Sequence, residues 1–112
     1  MATFADVTRI AATLPETEES TSYRTPAIKV RGKLIARLRE DGESLAIRAT
    51  LEARTALPQL EPDTFSVPEH YANTDMIVIH LSSVKLEELH GLIADAWIIA
   101  APKKLLRALE NA

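Results

Sequence analysis

The chain has 112 residues and a mass of 12.3 kDa, which suits one domain with a single hydrophobic core. Apolar residues make up 46% and charged residues 26%, which excludes intrinsic disorder, and a net charge of -3 excludes a surface coated in basic charge. The absence of cysteine excludes disulfides, thiolate zinc sites, iron–sulfur clusters and a cysteine nucleophile.

In chain order, residues 3–14 carry Phe4, Val7, Ile10, Ala11 and Leu14 at three- and four-residue spacing, the stripe of a half-buried helix. Thr3 is placed to cap it with Asp6 as the capping-box acid, and Pro15 ends it near Leu14. Glu16, Glu18 and Glu19 then read as an exposed acidic loop. From Ala27 to Arg39 the apolar residues Ile28, Val30, Leu34, Ala36 and Leu38 fall at even numbers, the period of a strand. Turns at Arg31-Gly32 and Asp41-Gly42 break this stretch and lead into Ser44–Ala49, which predicts a meander of three antiparallel strands. Thr50 caps a predicted short helix from about Leu51 to Leu57, closed by Pro58. Phe65–Val67 reads as a short strand, and Met76–Leu81 as a central one because it is apolar almost throughout. Leu86, Leu89, Leu92, Ile93, Ala96 and Trp97 predict a helix from about Lys85 to Ala100, with Ser83 as its cap. Pro102 opens a last helix carrying Leu105, Leu106 and Leu109. The fold class that follows is α+β: a single domain over residues 1–112, with an antiparallel sheet covered by helices on one face and open on the other.

An open sheet face displays its outward side chains, and here those are cations. Lys29, Arg31, Lys33, Arg37 and Arg39 occupy odd positions, interrupted by Ile35, and Arg48 joins them from the following strand. Residues 24–48 hold seven Lys and Arg against three acids, so positive charge is segregated into this segment. Such a strip attracts a polyanion, although lysine and arginine on exposed strands also serve solubility and discourage edge pairing. Aromatic stacking platforms are scarce, since the segment offers only Tyr23.

Catalytic constellations do not assemble. His70, His80 and His90 are spaced unlike any local metal-ligand motif, so no metal site is expected. Ser82 and Ser83 have no neighbouring base, and three glycines cannot build a dinucleotide or phosphate loop, so no cofactor is expected. Glu69-His70-Tyr71 is the most unusual polar cluster: His70 and Tyr71 lie in a loop at a sheet end, where they either bind a ligand or bond the backbone across the loop. The amino terminus has neither the basic start nor the apolar run of a secretory signal. No stretch reaches the ~18 apolar residues of a membrane span, so a cytoplasmic chain without a membrane partner is expected.

Several stretches taken together resemble one family: Leu14-Pro15 before Glu18-Glu19-Ser20, then Lys29-Val30-Arg31-Gly32-Lys33, His70-Tyr71, Ala96-Trp97 and Ala101-Pro102-Lys103. From about Val7 to Leu105 the chain is similar to the MmcQ/YjbR family of small bacterial proteins. The resemblance implies a two-layer sandwich like that of bacterial frataxin. It also implies DNA binding, with β-hairpins as wings and Lys29, Arg31 and Lys33 as the basic motif of one wing. Arg24 stands where the family often has glycine, Ile28 where it often has phenylalanine, and Met76 where a tryptophan often follows the His-Tyr loop. The acidic ridge that frataxin-like iron binding uses is not evident, since the first helix carries only Asp6. The expectation is a non-enzymatic DNA-binding protein whose Lys29, Arg31, Lys33, Arg37, Arg39 and Arg48 contact phosphates. The alternative is an adaptor that presents the same basic face to an acidic protein partner.

Overall fold

The computed structural model describes the backbone of residues 1–110 and the side chains of residues 1–108, so the side chain of Leu109, expected on the last helix, lies outside it. The first helix, α1 (Phe4–Ala11), begins as its sequence dictates: Thr3 accepts from the Asp6 backbone N–H while Asp6 accepts from that of Thr3. Its last expected turn loosens after Ala11 into single-turn bonds at Thr13 and Leu14.

Six strands follow, β1 (Thr17–Ser22), β2 (Thr25–Val30), β3 (Lys33–Leu38), β4 (Ser44–Arg48), β5 (Phe65–Ser66) and β6 (Met76–His80). They form one sheet in the order β1-β2-β3-β4-β6-β5, with every neighbouring pair antiparallel. The meander therefore has four strands rather than three. The acidic loop expected at Glu16–Glu19 is mostly β1, an edge strand that pairs with β2 from Thr17↔Val30 to Ser22↔Thr25. The segment Thr-Glu-Glu-Ser-Thr-Ser buries no side chain fully, so it lacks the apolar alternation that marks a strand and is held by its ladder. The expected central strand does lie inside the sheet, as β6 between β4 and β5.

The helices α2 (Leu51–Leu60), α3 (Leu86–Ala100) and α4 (Lys103–Glu110) complete the fold. Proline at position 58 does not close α2, because it forfeits only its own N–H bond and the helix needs just two more residues. Ser83 does not cap α3: its hydroxyl bonds Thr64, Asp63 and His80 in the preceding loop, and Lys85 is the cap residue without a side-chain bond. The main core lies between the sheet and the helices. There Val7, Ile10, Ile28, Ile35, Leu45, Ile77, Leu89 and Trp97 are all buried, and the indole N–H of Trp97 donates to the Pro15 carbonyl at 2.9 Å.

Strict alternation does not survive along β3. Ile28 pairs with Ala36 but Lys29 pairs with Leu34, so Ile35 is an extra residue, a β-bulge. The bulge lets Ile35 and Ala36 both enter the core, and it turns Leu34 to the outer face. That face is not fully open. The chain from Val67 to Met76, with one 3₁₀ turn at Glu69–Tyr71, folds back over it and forms a second small apolar cluster of Ala46, Tyr71, Met76 and Val78 with Leu34 and Val67.

Candidate functional site on the outer sheet face

The six cations singled out in the sequence have three different fates. At the β2–β3 turn, Arg31 and Gly32 both take positive φ (48° and 81°), as a two-residue hairpin turn requires. The turn brings Lys29, Arg31 and Lys33 together at one exposed hairpin end, with Val30 opposite Lys33 and Lys29 opposite Leu34. Lys33 shares the register position of the core residue Val30 and stays exposed because it stands at the strand end. Arg31 makes a two-bond fork to Glu16 at 2.9 and 3.0 Å, which holds the Glu16 carboxyl below the usual carboxylate range.

The acids in and just before β1 thus border the basic strip. Glu18 stands directly opposite Lys29, and Glu16, Glu18 and Glu19 offset most of the charge excess counted along the sequence. Lys29, Lys33 and Arg39 form no ion pair among the described residues.

Arg37 and Arg48 sit deeper. Arg37 is 6% exposed; its guanidinium donates to Thr25, the Leu38 carbonyl, Glu40 and the Tyr71 hydroxyl. Burial works against its charge, but the bonds to Tyr71 and Glu40 outweigh that and raise its pKa above the ordinary value. Arg48 donates Nε to the Leu34 carbonyl and Nη1 to both oxygens of Asp75, at 3.0 and 2.8 Å. These two arginines are therefore internal struts of the outer face, and the expectation that they point freely outward is corrected by the roof that Tyr71 and Asp75 build over them. Arg39 lies 5.8 Å from the Tyr71 ring centroid, with its Nε buried and unpartnered.

His70 and Tyr71, read as a separate loop cluster, belong to the same place. Tyr71 is 7% exposed and bonded to Arg37, and His70 packs edge-on against its ring at 4.9 Å. Arg54 of α2 fixes the loop from the other side by donating to the carbonyls of Tyr71, Ala72 and Met76. The residue that sequence reasoning set aside is Tyr23. It is 81% exposed, occupies the β1–β2 turn with Arg24, and has its ring 5.1 Å from the Arg37 guanidinium. Both turn residues have positive φ, 51° and 67°, and the glycine that the family often carries at position 24 was the one signal of this conformation.

Between these groups lies a depression of about 370 Å³. It is lined by the aromatic rings of Tyr23, Tyr71 and His70, by Leu34, Met76 and Thr74, and by the charged groups of Arg37, Arg48 and Asp75. Among the described residues no group of three or more His, Asp or Glu stands together as a metal site, and no helix is long and apolar enough to cross a membrane.

A six-stranded antiparallel sheet with a helical layer on one side and a partly roofed, cation-bearing face on the other defines a two-layer α+β domain. The chain belongs to the YjbR family, whose model matches residues 12–99. It is 27% identical, over 123 aligned positions, to the proteins named Uncharacterized protein Rv2570 of Mycobacterium tuberculosis and Uncharacterized protein Mb2600 of Mycobacterium bovis, covering 96% of this chain and 95% of each relative. The crystal structure of Deinococcus radiodurans protein DR2400, a DUF419 domain, superposes with a TM-score of 0.78 at 20% identity, over 93% of this chain and 82% of that one. A likeness at that identity establishes the fold.

Proposed function

We propose that this protein binds nucleic acid, in the first instance DNA, through the β2–β3 hairpin and the adjoining edge of the outer sheet face. The observation that carries the reading is the crowding of Lys29, Arg31 and Lys33 at one exposed turn, with Arg39 farther along the same strand pair. Lys29 and Lys33 are free of ion pairs among the described residues. The Arg31–Glu16 pair has both partners about half exposed, at 48% and 46%, so a phosphate exchanges for the carboxylate at little cost. Arg37 and Arg48, being struts, are left out of the phosphate-contacting set.

The test is anisotropy of a fluorescent duplex of about 20 base pairs across a salt series. Three phosphate contacts give a slope of log affinity against log salt of about -3. The triple variant Lys29→Ala, Arg31→Ala, Lys33→Ala, checked for folding by circular dichroism, is expected to flatten that slope and abolish binding at moderate salt. Binding that ignores salt, or that survives the triple variant unchanged, overturns the reading. Stoichiometric retention of a protein partner from nuclease-treated lysate, with no affinity for DNA, transfers the basic face to the adaptor role.

A further inference from the structure

The depression beside the hairpin is a site that phosphate contact alone leaves unexplained. Its composition is specific: two tyrosine rings, an imidazole, two apolar side chains, and two guanidinium groups, one of which lies against a carboxylate. Tyr23 is the telling member. A tyrosine 81% exposed at a strained two-residue turn contributes almost no apolar burial to the fold. Its one notable partner is Arg37, whose buried guanidinium stands 5.1 Å from the ring centre and backs one side of it. Most of the ring's surface is open to solvent, and the ring lines the hollow together with Arg37, Leu34 and Met76.

The rim supplies polar groups suited to a flat ring. Arg48 commits Nε to the Leu34 carbonyl and Nη1 to Asp75, which leaves its Nη2 donors without a protein acceptor among the described residues. Asp75 has a side chain 42% exposed, so part of its acceptor capacity faces solvent beside those donors. A donor and an acceptor side by side, at the edge of an aromatic-walled hollow, match the polar edge of a heteroaromatic base. The volume of about 370 Å³ accommodates one such base with its sugar and does not accommodate a stacked duplex. Lys29 is paired in register with Leu34, one of the residues that line the depression.

We propose that this depression receives a single unstacked nucleobase carrying a phosphate, with Tyr23 as its stacking platform and the Arg48–Asp75 pair reading its polar edge. The proposal rests on the nucleic-acid reading above and sharpens it: the preferred ligand is single-stranded. The same chemistry is offered by a free mononucleotide, and the experiment separates the two sources.

A labelled single strand of about 12 nucleotides is titrated beside an abasic strand of equal length and charge, a duplex, and the four mononucleotides. The expected result is that the base-bearing strand binds about ten-fold tighter than the abasic strand. Tyr23→Ala is expected to erase that ratio and Tyr23→Phe to preserve it. The exposed position of Tyr23 keeps both variants folded. The double variant Lys29→Ala, Lys33→Ala is expected to weaken both strands equally and leave the ratio intact. Mononucleotides that bind as tightly as the strand, with the same dependence on Tyr23, keep the base site and assign it to a free nucleotide. Equal affinity for base-bearing and abasic strands overturns this inference while leaving the phosphate-binding reading standing. No binding by any nucleic acid overturns both.

Discussion

Arg31 serves two needs that pull in opposite directions. As a turn residue it holds φ at 48°, a conformation that costs a non-glycine L-residue roughly 1–2 kcal/mol. As a charge it forks onto Glu16, but the exposure of both partners keeps that pair's worth small. Asparagine tolerates the left-handed region and precedes glycine in the favoured hairpin turn. Arg31→Asn is therefore expected to raise stability by about 0.5 kcal/mol, read from the urea midpoint, while making the salt slope of DNA binding shallower by about 1. A fall in stability would mean that the Glu16 fork outweighs the backbone strain. At this scale the sequence was informative about identity and poor about role. Lys29, Arg31 and Lys33 gather around one exposed turn, but the bulge puts Lys33 on the register of Val30 and not on the outer face with Lys29, and the burial of Arg37 depends on Tyr71, 34 residues away, which no local pattern could announce.

Among the elements, α2 holds the roof over the outer face through one side chain. Arg54 donates to three carbonyls, those of Met76, Tyr71 and Ala72, and so ties the helix to a loop whose apolar content is small. Arg54→Ala is expected to cost about 1–2 kcal/mol, since it removes bonds from a charged donor that is only half-buried. Amide exchange at Ala72 to Met76 should quicken more than exchange in β3 or β4; uniform quickening would show that the roof and the sheet open as one unit. The elements most legible in the sequence were those with an apolar period or an apolar run, namely α1, α3, β4 and β6. Those it obscured have none: β1 is polar on both faces, and the bulge at Ile35 interrupts the alternation it would have to be read from. Ile35, marked as the one irregular member of the basic strip, was the visible trace of that bulge.

For the molecule as a whole, the ionisable groups divide into two sets with opposite effects on stability. Asp6 is held below the ordinary carboxylate range first by the backbone N–H of Thr3, and Glu16 by the Arg31 fork. Their contribution is complete above the unfolded-state values and is lost as pH falls through the lowered ones. Glu61, the C-cap residue of α2, is held above its ordinary value by the neighbouring carboxyl of Glu88 at the start of α3. Its contribution is complete below the unfolded value and disappears as pH rises through the raised one. The melting temperature is thus expected to climb out of the acid range and then decline slightly above the ordinary glutamate range. Glu61→Gln should remove the decline and leave the climb, checked by calorimetry from about pH 3 to about pH 8. A decline that persists in the variant assigns it to another group. The α+β class and helices on one face were legible because they follow from the order and periodicity of the elements. The depression was not, because it draws on the β1–β2 turn, β3, β4 and the loop before β6, which only the sheet order brings together.

The indole of Trp97 is buried at 2% exposure in the helical layer, bonded to the Pro15 carbonyl, and it is the chain's only tryptophan. The only two tyrosines, Tyr23 and Tyr71, both line the depression on the opposite side of the sheet. The protein therefore carries two intrinsic fluorophores sorted by layer. Emission from the indole follows the integrity of the core, and phenol emission follows what happens on the outer face. With the indole excited directly, a solute that settles on the tyrosines would change the second signal and spare the first, whereas loss of the fold would alter both together.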